Sequence, residues 1–154
     1  MEEQLVKYLI DNKMTITTAE SCTGGMIAST IVNVPGASWV LNEAHVTYAN
    51  EAKTKILGVK KETLETYGAV SEETAHEMAE GAAKAADADC AIAVTGVAGP
   101  DGGTDEKPVG TVYAGYYVKG RIVVERYNFD GDRYEVRRQT ADKTISRLYE
   151  LLTC

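Results

Sequence analysis

Residues 90–129 read CAIAVTGVAGPDGGTDEKPVGTVYAGYYVKGRIVVERYNF, and this stretch decides the fold. It opens with an almost unbroken apolar run, residues 90–94. A strand covered on both faces has that composition, because neither face tolerates a polar side chain. Residues 111–118 and 121–129 are β-prone and are separated only by Lys119 and Gly120, a hairpin signal. A buried central strand next to a hairpin predicts a mixed sheet rather than a wholly parallel one. Between them lies the long segment 96–110, GVAGPDGGTDEKPVG. Loops of that length in a compact domain are often functional.

Helical patterns surround this sheet. Leu5, Val6, Tyr8, Leu9 and Ile10 stand among charges over residues 2–12 at helical spacing. Residues 14–19 are a short β-prone run, and residues 26–34 form an apolar helix ended by Pro35 and Gly36. Residues 45–48 alternate as a strand, with Val46 and Tyr48 on one face and His45 and Thr47 on the other. Asn50 is placed to cap a helix through Leu57, stopped by Gly58; a second short helix covers 61–66 before Gly68. Ser71 caps a longer helix with Glu72 and Glu73 in its first turn. Its inner stripe is Ala75, Met78, Ala79, Ala82 and Ala86, small residues that predict close packing on a sheet. Asp132 and Glu135 form a capping box for a final helix to about residue 152, with Ala141, Ile145, Leu148 and Leu152 facing inward. The expected architecture is therefore α/β, a three-layer α/β/α sandwich with a mixed central sheet, in a single domain over 1–154.

Bulk properties narrow the function classes. The 154 residues are 44% hydrophobic and 25% charged, with a net charge of −7. An acidic balance argues against a nucleic-acid surface, which wants a basic stripe. A local basic pocket for a small anion is compatible with it. The three cysteines, Cys22, Cys90 and Cys154, are far apart and form no C-x-x-C, so neither a disulfide framework nor a zinc site is expected. No apolar run approaches a membrane span, and the N-terminus MEEQLVKYL lacks a signal-peptide core. The expectation is a cytoplasmic protein.

Chemistry concentrates in three segments, 17–25, 47–53 and 95–110, where strands leave the sheet. The first, TTAESCTGG, has neither a P-loop nor a dinucleotide motif. As a turn, it needs Ser21 or Thr23 only to cap the next helix, and Cys22 only as a small packed side chain. As a site, it offers Ser21, Cys22 or Thr23 as nucleophile, with backbone N–H groups around Gly24 and Gly25 for an oxyanion. A serine needs a base. His76 falls outside the inner stripe of its helix, and His45 lies in a strand; neither sits in a triad motif. Lys53 falls near the third position of the helix capped by Asn50, where the helix dipole repels a cation and burial would lower its pKa. It is either a usable base or an ordinary surface lysine. Tyr48 can stack on a ring or simply pack beside Val46. Thr95 ends the central strand with a hydroxyl, and Gly96 and Gly99 allow close backbone approach to a ligand. Asp101, Asp105 and Glu106 could together bind Mg²⁺, but spacing alone is a weak argument for it, and no metal is expected. Lys107, Arg133, Arg137 and Arg138 are either a solvated face or readers of a phosphate.

Taken together, TTAESCTGG, VTYANEAK at 46–53, YGAVSEETA at 67–75, VTGVAGPDGGTDEKPVGTVY at 94–113 and FDGDRYEVRRQT at 129–140 resemble the CinA C-terminal domain family. This is the family of nicotinamide-nucleotide amidases, or NMN deamidases. The likeness spans nearly the whole chain in the same order. It implies an α/β/α domain, here in its stand-alone form, that hydrolyses the carboxamide of nicotinamide mononucleotide to nicotinate mononucleotide and ammonia. It implies Ser21 as nucleophile and Lys53 as base, with Tyr48 and Thr95 lining the site. Thr23, Gly24, Gly25, Gly96, Gly99, Lys107, Arg133 and Arg137 are the expected substrate-binding residues. The last two are assigned to the 5′-phosphate from charge alone. No cofactor is implied. The expected partner is a small nucleotide, not nucleic acid or membrane, and a homo-oligomer is expected. The alternatives are a nucleotide-binding module without turnover, a cysteine enzyme using Cys22, and a competence-associated protein-interaction domain.

Overall fold

Six helices and a five-stranded sheet follow one another in a computed structural model that describes residues 1–154. The order is α1 (Glu2–Asp11), β1 (Ile16–Glu20), α2 (Met26–Val32), a 3₁₀ turn (Ala37–Trp39), β2 (His45–Val46), α3 (Asn50–Leu57), α4 (Lys61–Tyr67), α5 (Glu72–Ala86), β3 (Cys90–Gly96), β4 (Thr111–Val118), β5 (Arg121–Asn128) and α6 (Arg133–Thr153). The sheet order is β2-β1-β3-β4-β5. β1 runs parallel to β2 and β3, whereas β4 and β5 are antiparallel, so the sheet is mixed.

The alternation along β3 explains the layers. Cys90, Ile92 and Val94 enter a large core with α1, α2 and α6, built on Leu5, Leu9, Ile27, Ile31, Ile145 and Leu148. Ala91 and Ala93 face the other way, toward Leu57, Met78, Ala79 and Ala82 from α3 and α5. Large side chains fill one layer, and small ones let α5 lie close in the other. At the closest approach, a Cβ on Gly115 of β4 would stand 2.6 Å from the Ala75 carbonyl oxygen. The expected inner stripe of α5 is buried except Ala86, which is half-buried; Ala83 is buried instead.

Chain direction positions the site. From β1 the chain passes through α2 on the large-core face to β2 on one side of β1. It then returns through α3, α4 and α5 on the other face to β3, on the opposite side of β1. The carboxyl end of β1 is therefore the point where strand order reverses, the usual ligand crevice of such sheets. The register sets the three strand ends level. Glu20 pairs with Val46 and Val94, Thr47 N–H donates to the Glu20 carbonyl, and Ser21 N–H donates to the Val94 carbonyl.

Three local expectations differ. α2 ends at Val32 rather than residue 34. β2 is only two residues long, and Val46 and Tyr48 are exposed, which removes the packing alternative for Tyr48. α3 is preceded by Ala49 as its cap, with Asn50 already helical. The Lys53 N–H consequently bonds the Ala49 carbonyl inside the helix ladder, one position deeper than the dipole argument placed it.

Candidate active site

Ser21 is the first residue beyond β1, and its Oγ lies 3.1 Å from Lys53 Nζ. Lys53 reaches it from α3 with a side chain that is only 1% exposed. Its Nζ also donates to the carbonyls of Thr47 (2.9 Å) and Tyr48 (3.1 Å). An ammonium would fill all three contacts as donor. The neutral amine has two N–H groups for the two carbonyls, and its lone pair is left for Ser21 Oγ–H. Burial lowers the Lys53 pKa from its ordinary 10.5, which favours that neutral form. The cause is burial rather than the dipole of a helix start, because α3 begins one residue earlier than expected.

Cys22, the neighbouring candidate, is 6% exposed, and burial pushes its thiol up to about 11. It is protonated at neutral pH, and the thiol is a far weaker nucleophile than the thiolate. His76 is exposed on α5, and His45 Nε2 lies 3.6 Å from a Glu43 carboxylate oxygen. The hydrogen-bond partner of Ser21 Oγ is the lysine.

Glu20 holds the turn before the nucleophile. Its carboxylate is fully buried and accepts from Thr18 Oγ1 (3.2 Å), Thr23 Oγ1 (2.6 Å), Ile27 N–H (2.8 Å) and Ala28 N–H (3.0 Å). The last two are orphan donors of the first turn of α2. The cap position itself is Gly25, with φ 103° and no side chain to accept them. Ser21 and Thr23 therefore do not cap the helix; Glu20 satisfies it from the strand. Sequence reasoning assigned Glu20 no definite role. The signal was a glycine at the helix entry, which leaves an acceptor to be found elsewhere.

A cleft of about 310 Å³ opens over Ser21. Ser21, Cys22, Tyr48, Gly96, Gly99 and Arg133 line it, joined by Val70, Val97, Ala98, Asp101 and Gly102. Arg133 bridges its mouth, donating to the Gly99 carbonyl (2.7 Å) and to Tyr48 Oη (2.9 Å). Asp101 and Gly102 come from the long loop 96–110 singled out in the sequence. A wider depression of about 500 Å³ between α3 and α4 is lined by exposed and half-buried side chains such as Asn50, Thr54, Lys55 and Leu64, away from Ser21.

Several expected substrate contacts point elsewhere. Thr95 is 1% exposed, and its hydroxyl donates to the Ala69 carbonyl, tying the turn before α5 to the end of β3. Thr23 is bound to Glu20, and Gly24 and Gly25 form the turn behind the cleft wall. Lys107 donates to the Tyr67 carbonyl. Arg137 donates from Nε to the Cys22 carbonyl and from Nη2 to the Thr23 carbonyl, each at 3.0 Å. Arg138 pairs with Asp142 on its own helix. Arginine count and position were visible in the sequence, but which guanidinium faces the cleft depends on the rotation of α6.

The model of a family described as the CinA C-terminal domain matches residues 1–152. A Clostridium perfringens protein named for competence-damage induction is 60% identical over 140 residues, which cover 91% of this chain and 34% of that protein. A CinA-like protein of Kosmotoga olearia is 56% identical over 141 residues, covering 92% and 34%. The chain thus spans about a third of the length of these relatives. The crystal structure of the competence damage-inducible protein A of Klebsiella pneumoniae superposes with a TM-score of 0.95 at 37% identity, covering 98% of this chain and 94% of that one.

Proposed function

The chain belongs to the CinA C-terminal domain family, and from that premise we propose that it is a serine amidase for the carboxamide of nicotinamide mononucleotide. Ser21 is the nucleophile and Lys53 its base. The observation that carries this reading is the 3.1 Å contact between Ser21 Oγ and a lysine amine that is 1% exposed and held by two carbonyls. A module that only bound nucleotides would need no buried amine of lowered pKa in contact with a serine.

In the proposed reaction neutral Lys53 accepts the Ser21 proton as Oγ adds to the amide carbon. The resulting oxyanion is held by backbone N–H groups of the turn that follows Ser21. Protonated Lys53 returns its proton to the departing nitrogen, and ammonia leaves with the C–N bond. Water then adds to the acyl-Ser21 ester, Lys53 takes its proton, and nicotinate mononucleotide is released as Oγ is reprotonated. Tyr48, 61% exposed at the cleft mouth, offers its ring face to the pyridinium. Arg133, which already uses its guanidinium on a carbonyl and a phenol, is the cleft cation available to a phosphate.

An ammonia-release assay with nicotinamide mononucleotide, its riboside and free nicotinamide tests the reading. Wild type is expected to release ammonia, the mononucleotide being the preferred substrate, and Ser21→Ala to release none. Binding of the mononucleotide without turnover would sink the amidase and favour the binding module. Loss of activity in Cys22→Ala but not in Ser21→Ala would move the chemistry to sulfur.

A further inference from the structure

Arg137 is the cation that the cleft does not use. It projects from the second turn of α6, half-buried, and places two donors on the backbone carbonyls just after the nucleophile. Its guanidinium lies against Gly24, where an added Cβ would be 3.4 Å from Nη2. A planar fork on two adjacent carbonyls fixes the planes of both peptides.

The orientation of a peptide plane decides where its N–H points, because C=O and N–H of one trans peptide face opposite ways. Arg137 Nε holds the Cys22 carbonyl, so the Thr23 N–H of that peptide faces away from the guanidinium. Arg137 Nη2 holds the Thr23 carbonyl and so orients the next N–H, that of Gly24, which donates to the Ser21 carbonyl at 3.1 Å. That bond in turn fixes the Ser21–Cys22 peptide, with the Cys22 N–H directed away from it. The N–H groups of Cys22 and Thr23 have no acceptor within the chain. Backbone donors without an internal acceptor are met by water or a ligand, and Cys22 lines the cleft over Ser21.

We propose that Arg137 is a positioning residue for acyl transfer: by gripping the Cys22 and Thr23 carbonyls it presents the Cys22 and Thr23 N–H groups to the oxygen that becomes negative when Ser21 attacks. This rests on the serine-amidase reading above. It gives Arg137 a role distinct from phosphate recognition, which would act on binding rather than on the chemical step. The positioning role predicts a loss in kcat with KM little changed, and the same loss for every amide substrate.

The test measures Arg137→Lys and Arg137→Ala against wild type, with kcat expressed per Ser21 that reacts with phenylmethanesulfonyl fluoride at endpoint, so that unfolded molecules do not count. Removing one oxyanion donor costs on the order of 10²-fold in kcat, and misorienting the pair is expected to cost about tenfold or more. The expected result is that loss for the mononucleotide and the riboside alike, KM within about twofold, an unshifted pH midpoint, and partial recovery of Arg137→Ala by added guanidinium ion. A raised KM for the mononucleotide alone, or unchanged kcat, overturns the proposal. If wild type hydrolyses no amide, the substrate reading has failed, and the rate of Ser21 sulfonylation decides: about tenfold slower in Arg137→Lys supports positioning, and an equal rate overturns it. A wild type that neither hydrolyses nor labels overturns both.

Discussion

Lys53 keeps an amine where water scarcely reaches it, and its chemistry follows from that. Because its folded pKa lies below the ordinary 10.5, the unfolded chain binds more protons between the two values. Stability contributed by this group therefore rises with pH across that window, and the cost of burying its charge is greatest below it. Wild type is expected to gain stability relative to Lys53→Met as pH climbs toward 10.5, measured by urea unfolding at a series of pH values. A constant difference would mean that the amine is not perturbed. Activity has the same sign: kcat/KM for ammonia release should rise along a limb whose midpoint lies below 10.5. Lys53→Arg, which cannot give up its proton, should lose about 10³-fold or more at neutral pH. In the sequence, Lys53 stood out as a cation near a helix start. That clue singled out the residue whose amine contacts Ser21, although the helix begins one residue earlier than expected and burial is what lowers the pKa.

The element that carries Ser21 is a strand joined to a short helix by a turn with no cap of its own. Glu20 supplies the missing acceptor, and its four hydrogen bonds make the strand end, the turn and the first turn of α2 one unit. Glu20→Ala leaves two helix N–H groups and two hydroxyls without their acceptor and opens a void. It is expected to cost about 3 kcal/mol or more in urea denaturation. Glu20→Gln keeps the volume but replaces one accepting oxygen with a donor, and should fall between Ala and wild type. Equal stability of all three would show that the carboxylate is not the cap. The helix boundaries of α1, α5 and α6 were legible because periodicity and capping side chains are local. Ser71 and Asp132 cap as expected, accepting from the N–H groups of Thr74 and Glu135. The cap of α2 was not legible, because its acceptor comes from the preceding strand, seven and eight residues from the groups it satisfies.

Across the whole molecule, layer spacing depends on a small-residue seam between α5 and the sheet. Gly115→Ala would drive a Cβ against the backbone of α5, and backbone cannot turn aside as a side chain can. A loss of about 1–3 kcal/mol is expected from thermal or denaturant unfolding. An unaffected Gly115→Ala would show that the layers have slack. The apolar run 90–94, the hairpin and the helix stripes by themselves determined the layer architecture and the mixed sheet, because burial patterns repeat with the period of the element that makes them. The motifs also singled out residues 21, 48 and 53, which the fold brings together. Only tertiary structure decided which polar groups meet. It set Lys53 on Ser21, directed Arg133 into the cleft and Arg137 onto the backbone behind it, turned the Thr95 hydroxyl to a carbonyl, and buried Glu20 as a cap. Those outcomes depend on strand register and on the rotation of α3 and α6. Both are set by packing between segments far apart in the chain, which leaves no local mark in the sequence.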